Sequence, residues 1–91
     1  SRGVFALKTY ARYDHSSAMV QTQIADGIEM VLTLYHNQLK QGVEVIRNYG
    51  EIPAIFCYPD DLNQVWTNLI HNAIQAMENR GVITIDLAQE E

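Results

Sequence analysis

The chain has 91 residues, 47% apolar and 19% charged, with a formal net charge of −5. That fits one small folded domain, burying roughly 60–65% of its unfolded surface, and excludes a disordered chain. The six scattered Lys and Arg residues make no basic stripe for nucleic acid or an anionic membrane, and no apolar run approaches the roughly 18–20 residues that cross a bilayer.

The opening Ser1-Arg2-Gly3-Val4-Phe5 reads as the inside of a longer chain. Val4, Leu7 and Ala11 are spaced for one side of a helix, predicted over Val4–Asp14, with Tyr10 and Tyr13 turned toward a partner helix. Ser16-Ser17 breaks that pattern. Val20, Thr22 and Ile24 alternate with Gln21 and Gln23, a short strand signal. Asp26 with Glu29 three residues on forms a capping-box pattern, flanked by Ala25 and Met30 in staple positions. The helix it opens carries Ile28, Val31, Leu32, Tyr35 and Leu39 as its apolar stripe, and Gly42 is its predicted left-handed cap.

Val43–Tyr49 alternates as a strand, and Ala54–Tyr58 is a second, expected as its neighbour. Cys57 lies in that second run. As the only cysteine it can form neither an internal disulfide nor a cysteine zinc site, and it reads as a small buried residue of a reducing cytoplasm. Pro59-Asp60-Asp61 starts the next helix, with Asp61 and Gln64 as a second capping box. Leu62, Val65, Trp66, Leu69, Ala73, Ala76 and Met77 form its predicted buried face, and Gly81 its cap. Val82–Leu87 is a last strand before a polar tail. The expected fold is α+β: a two-layer sandwich of one mixed sheet with helices on one face, plus the N-terminal helix.

The far side of the second capped helix is unusual. Gln64, Asn68, Asn72 and Gln75 recur at spacings of four, four and three, which puts them on one stripe opposite the apolar face. Asparagine in a helix interior costs a few tenths of a kcal/mol against alanine, roughly, because its side chain competes for backbone hydrogen bonds. Solvated helix faces favour Glu, Lys and Arg instead. A run of neutral amides is either a polar face that happens to use them or a site where a charge would be wrong. An amide oxygen is a hard neutral ligand suited to Mg²⁺, which keeps several waters and takes its charge balance from phosphates.

The run from Asp61 to Met77, DLNQVWTNLIHNAIQAM, resembles the N box of two-component sensor histidine kinases: a leucine, Gln-Val, then Asn-Leu-x-x-Asn-Ala and a small residue. The flanking elements are similar to the first half of that family's ATP-binding (Bergerat, or GHKL) domain, and the likeness is strongest over 55–86. The resemblance implies that residues 1–18 are the end of the second helix of the dimerisation domain. It makes residues 19–91 the N-terminal half of the catalytic ATP-binding domain. It implies Asn72 as the Mg²⁺ ligand bridging ATP phosphates and Asn68 lining the same site, with His71 and Gln75 as further cofactor contacts. Related ATPases of this fold carry a water-activating glutamate at the position of Asn68. An amide cannot act as that base, which favours a kinase over a hydrolase. Many relatives carry Lys or Arg just after the Asn-Ala pair, where this chain has Gln75 and Ala76; Arg80 is the nearest substitute.

The parent implied is an ATP- and Mg²⁺-dependent protein-histidine kinase, a homodimer that passes phosphate to a response regulator. It would be cytoplasmic, with any membrane anchor outside this segment. The acceptor motif is not found: neither His15 nor His36 lies in a sequence like His-Glu-Leu-Arg-Asn-Pro. The Asp-x-Gly-x-Gly box, the later glycine-rich box and the ATP lid are expected after residue 91, so these residues alone are expected neither to autophosphorylate nor to bind ATP tightly. The Val82–Leu87 strand is expected to keep an unpaired edge, and a dimer is expected, by strand exchange or through the Val4–Asp14 helices. The alternative is a dimerisation or docking module that has this fold and no chemistry.

Overall fold

The computed structural model describes residues 3–7 and 19–89. Their elements are β1 (Gly3–Leu7), β2 (Val20–Thr22), α1 (Ile24–Leu34), α2 (His36–Leu39), β3 (Val43–Tyr49), β4 (Ile55–Cys57), α3 (Pro59–Ala76) and β5 (Gly81–Leu87). Parallel and antiparallel pairs are both present, shared between two ladders. One is a three-stranded parallel sheet in the order β1-β5-β3; the other is the antiparallel pair β2-β4. The α+β class expected from the alternation of elements is the class observed.

β5 forms the axis of the larger sheet. Its apolar alternation puts Ile83, Ile85 and Leu87 on one face, all buried under the helices. On the other face, Val82 and Thr84 are half-buried and Asp86 is exposed. α1 contributes Ile28, Val31 and Leu32 to the same core, and α3 contributes Leu62, Trp66, Ile70, Ala73 and Ile74. Trp66 is fully buried (0% exposed), and Cys57 beside β4's end is buried as expected. A polar clamp ties α1 to the sheet edge. The Glu29 carboxylate accepts from Arg47 Nε at 2.6 Å and from the Tyr49 hydroxyl at 2.6 Å.

Several expectations are corrected. Gly3–Leu7 is a strand, not the start of a helix; residues 8–14 of that expected helix, and 15–18 after them, lie outside the described residues. Val4-Phe5-Ala6-Leu7 is a short apolar run that periodicity alone cannot assign, and pairing with the β5 edge decides it. The described part of the segment assigned to a dimerisation helix thus belongs to the sheet. β1 also fills the edge of β5 that was expected to be open, so β5 is paired on both sides. β3 does not neighbour β4. It pairs with β5 across the crossover that contains α3, as parallel strands require, while β4 turns back on β2.

The caps differ too. α1 begins at Ile24 behind Gln23 with no side-chain cap, so Asp26 sits inside the first turn and Glu29 is committed to Arg47. α3 begins behind Tyr58, also without a side-chain cap, and Asp61 is in its first turn. The expected long helix breaks at Tyr35 into α1 and α2. Met30, expected in a staple contact, is 49% exposed. Gly42 is not among the positive-φ glycines; instead its missing side chain admits the Asn79 carbonyl, whose oxygen lies 2.9 Å from where a β-carbon would stand.

α3 ends in a Schellman arrangement. The Asn79 amide donates to Ile74 O and the Glu78 amide to Gln75 O, with Glu78 at φ 54° and Asn79 at φ 63°. Gly81, expected as that cap, instead opens β5 at φ 151°. The buried face of α3 is rotated toward Ile70 and Ile74. Val65 is 37% exposed and Ala76 is exposed, which turns the amide stripe squarely away from the core.

Candidate functional site on the outer face of helix α3

α3 is long enough to carry five polar side chains along one exposed line because its opposite face is anchored at every turn by Leu62, Trp66, Ile70, Ala73 and Ile74. Gln64, Asn68, His71, Asn72 and Gln75 are all exposed on that line. The structure therefore brings the four sequence-predicted site residues, Asn68, His71, Asn72 and Gln75, onto one side of one rigid element.

Their local engagements differ. Gln64 Nε2 donates to Asn68 Oδ1 at 3.2 Å, one turn apart, so Gln64 holds the Asn68 amide rather than closing a cap with Asp61. Asn72 makes no side-chain hydrogen bond to another described residue, so its amide oxygen stands available to a ligand. His71 Nδ1 lies 3.4 Å from the Tyr35 hydroxyl, with the rings 6.0 Å apart and tilted by 57°. Tyr35 was assigned to the apolar stripe by its spacing. Its position at the break between α1 and α2 turns its hydroxyl outward to α3, and the only sequence signal for this was that tyrosine carries a polar tip.

His71 and Gln75 also line an open groove with Tyr35, Gln38, Glu78 and Asn79, which Asn68 and Asn72 do not line. Arg80, the nearest cation to the end of the stripe in sequence, is placed elsewhere. Its Cγ lies 3.2 Å from the β-carbon position of Gly42, on the side where β3 begins. No basic residue lies in the last turn of α3, and the stripe itself carries no Asp, Glu, Lys or Arg.

The donor set fits the chemistry of a Mg²⁺–phosphate ligand better than that of a bare ion. Among the described residues no three His, Cys, Asp or Glu side chains converge. An ion at Asn72 would meet a single neutral protein oxygen and would need water and phosphate oxygens to complete its shell and its charge balance. Asn68, held by Gln64, stands one turn before Asn72 and would offer a second amide to a phosphate bound there.

The electrostatic perturbations lie away from the stripe, in the clamp between α1 and β3. The Arg47 hydrogen bond holds the Glu29 carboxyl below its ordinary range against the opposing effect of burial, with Tyr49 assisting. The same bond raises Arg47. Burial, then the bond to Glu29, pushes the Tyr49 phenol up. These groups tie α1 to β3. Compared with family models, curated proteins and solved structures, the chain matches none.

Proposed function

We propose that this chain is part of a sensor histidine kinase, a phosphotransferase that uses Mg-ATP to phosphorylate a histidine and then passes the group to an aspartate of a response regulator. The observation that carries the reading is the exposed line of neutral amides on α3, Asn68 and Asn72 above all, set opposite a fully anchored apolar face. In this reading Asn72 contributes the protein's oxygen to Mg²⁺, and Asn68 and Gln75 contact phosphate. Mg²⁺ supplies charge neutralisation at the phosphates when bound. Asn68 cannot activate water, so the γ-phosphoryl is kept for transfer rather than lost to hydrolysis. The working parent is a cytoplasmic homodimer.

The test is incubation of the longest natural chain containing these residues with Mg-ATP. Acid-labile, base-stable phosphate on a histidine is the expected product. Release of free phosphate with no protein label would favour an ATPase, and neither product would leave a docking module. That second reading is favoured by one observation: Val4 (79% exposed) and Ile46 (39% exposed) leave apolar surface on the uncovered face of the sheet.

A further inference from the structure

We propose that the outer face of the parallel sheet is a docking surface for a partner protein's amphipathic helix, one whose apolar stripe is flanked by Lys or Arg. Helices α1 and α3 cover the side of β5 that carries Ile83, Ile85 and Leu87, and Val43 and Val45 of β3 pack on that same side. The register then fixes the other side. Val4, Val82 and Glu44 form one row across β1, β5 and β3, and Ala6, Thr84 and Ile46 form the next. A purely parallel sheet is normally covered by helices on both faces. Here the second face is left open: Val4 is 79% exposed and Ile46 39%, with Ala6 exposed between them. This face lies on the opposite side of the sheet from α3, so its occupation does not depend on what the amide stripe binds.

The face is also shaped for a side chain. Gly3 and Gly81 are partners across the β1–β5 ladder, and Met77 closes their inner side. Its Cγ lies 2.8 Å from where a β-carbon on Gly3 would stand, and its Sδ 2.6 Å from that on Gly81. On the outside, these two bare backbones and the residues Val4 and Val82 bound an open hollow of about 240 Å³, which suits one large apolar side chain. Glu44 stands in the same row as Val82, beside the hollow. Asp86 lies at the other end of the apolar band, where Asn48 Nδ2 donates to its Oδ1 at 2.8 Å. None of the residues in these rows is basic. A second copy of this chain would set those acids against acids, and each copy carries a net charge of −5. A helix with basic flanks meets Glu44 and Asp86 with opposite charge and lays its apolar stripe on Val4, Val82 and Ile46.

The experiment follows the methyl resonances of this chain during titration with a synthetic helical peptide that has a leucine stripe flanked by lysines. A matched peptide with glutamate at every lysine is the control. The lysine peptide is expected to shift Val4, Val82 and Ile46 ahead of other methyls and to bind at least about tenfold more tightly than the control. Ile46→Asn is expected to weaken that binding about tenfold. Glu44→Gln combined with Asp86→Asn is expected to narrow the difference between the peptides. Equal affinity for the two peptides, or none for either, overturns the proposal even if a variant fails to fold. So do shifts confined to other exposed apolar side chains, such as Met30 and Leu34 of α1. An Ile46→Asn variant that binds as wild type overturns it, as does a peptide preference that survives loss of both carboxylates. If Val4, Val82 and Ile46 shift with protein concentration alone, the occupant is a second copy and the proposal falls.

Discussion

Glu29 and Arg47 join helix α1 to strand β3 through a 2.6 Å bond between the carboxylate and Nε, each side chain 43% exposed. The Tyr49 hydroxyl donates to the same carboxylate oxygen. The exposure lets solvent screen the pair, so its contribution is modest, but its pH dependence has a definite sign. Glu29 in the folded chain sits below the usual carboxylate value of 4.5. As pH falls, the unfolded chain takes up this proton first. The clamp's stabilisation is therefore present above pH 4.5 and is lost as pH falls from there through the lower folded value. Urea unfolding of wild type and Arg47→Met across that range is expected to show a stability difference that shrinks on acidification. A difference independent of pH would contradict the clamp.

On the alkaline side the sign reverses. Tyr49 is raised above the usual phenol value of 10.0, chiefly by burial. A raised acid is protonated in the folded state after the unfolded chain has lost its proton, so its stabilisation holds below pH 10 and declines above it. Tyr49→Phe removes this titration. Its unfolding midpoint is expected to fall less steeply than that of wild type as pH rises past that point, measured by circular dichroism.

Gly81 cannot accept a side chain. A β-carbon there would stand 2.9 Å from the Gly3 nitrogen and 2.6 Å from Met77 Sδ, and its φ of 151° is open only to glycine. Gly81→Ala is expected to destabilise the chain by about 2–3 kcal/mol and to release β1 from β5. Hydrogen exchange would read this as lost protection at 3–7 with β3–β5 pairing retained. Unchanged protection at 3–7 would contradict the observed register.

Calorimetry of residues 1–91 with Mg-ATP is expected to show no tight binding, because the stripe offers neutral amides and the last turn of α3 offers no basic side chain to the phosphates. Micromolar affinity would contradict that reading.

Much of this was legible in the sequence, and the misses share causes. β3 was placed at its observed bounds and α3 nearly so: Gly42 and Gly50 flank the first, and the second keeps its apolar period throughout. The amide stripe was legible for the same reason: helix geometry alone puts Asn68, Asn72 and Gln75 together. β1 was not legible, because Val4–Leu7 satisfies two periodicities and only a strand 74 or more residues away in sequence resolves them. The two capping boxes failed because α1 and α3 each begin ahead of the expected capping residue, at Ile24 and Pro59, which leaves Asp26 and Asp61 inside the first turn; Glu29 and Gln64 bond instead to Arg47 on a distant strand and Asn68 one turn on. The Tyr35–His71 contact depends on where α1 breaks, and that break interrupts an apolar pattern that would otherwise continue to Leu39.

The central claim is that Asn72 holds the metal-bridged phosphates for transfer to a histidine. The measurement that meets it most directly is the rate of histidine labelling from Mg-ATP in the longest natural chain containing these residues, compared with its Asn72→Ala variant. A surface asparagine with no partner among the described residues should be dispensable for folding, so unfolding midpoints are expected to match. Labelling is expected to fall by about 10–100-fold or more, as for loss of a group that orients or ligates a metal. A variant that labels at the wild-type rate would contradict the assignment.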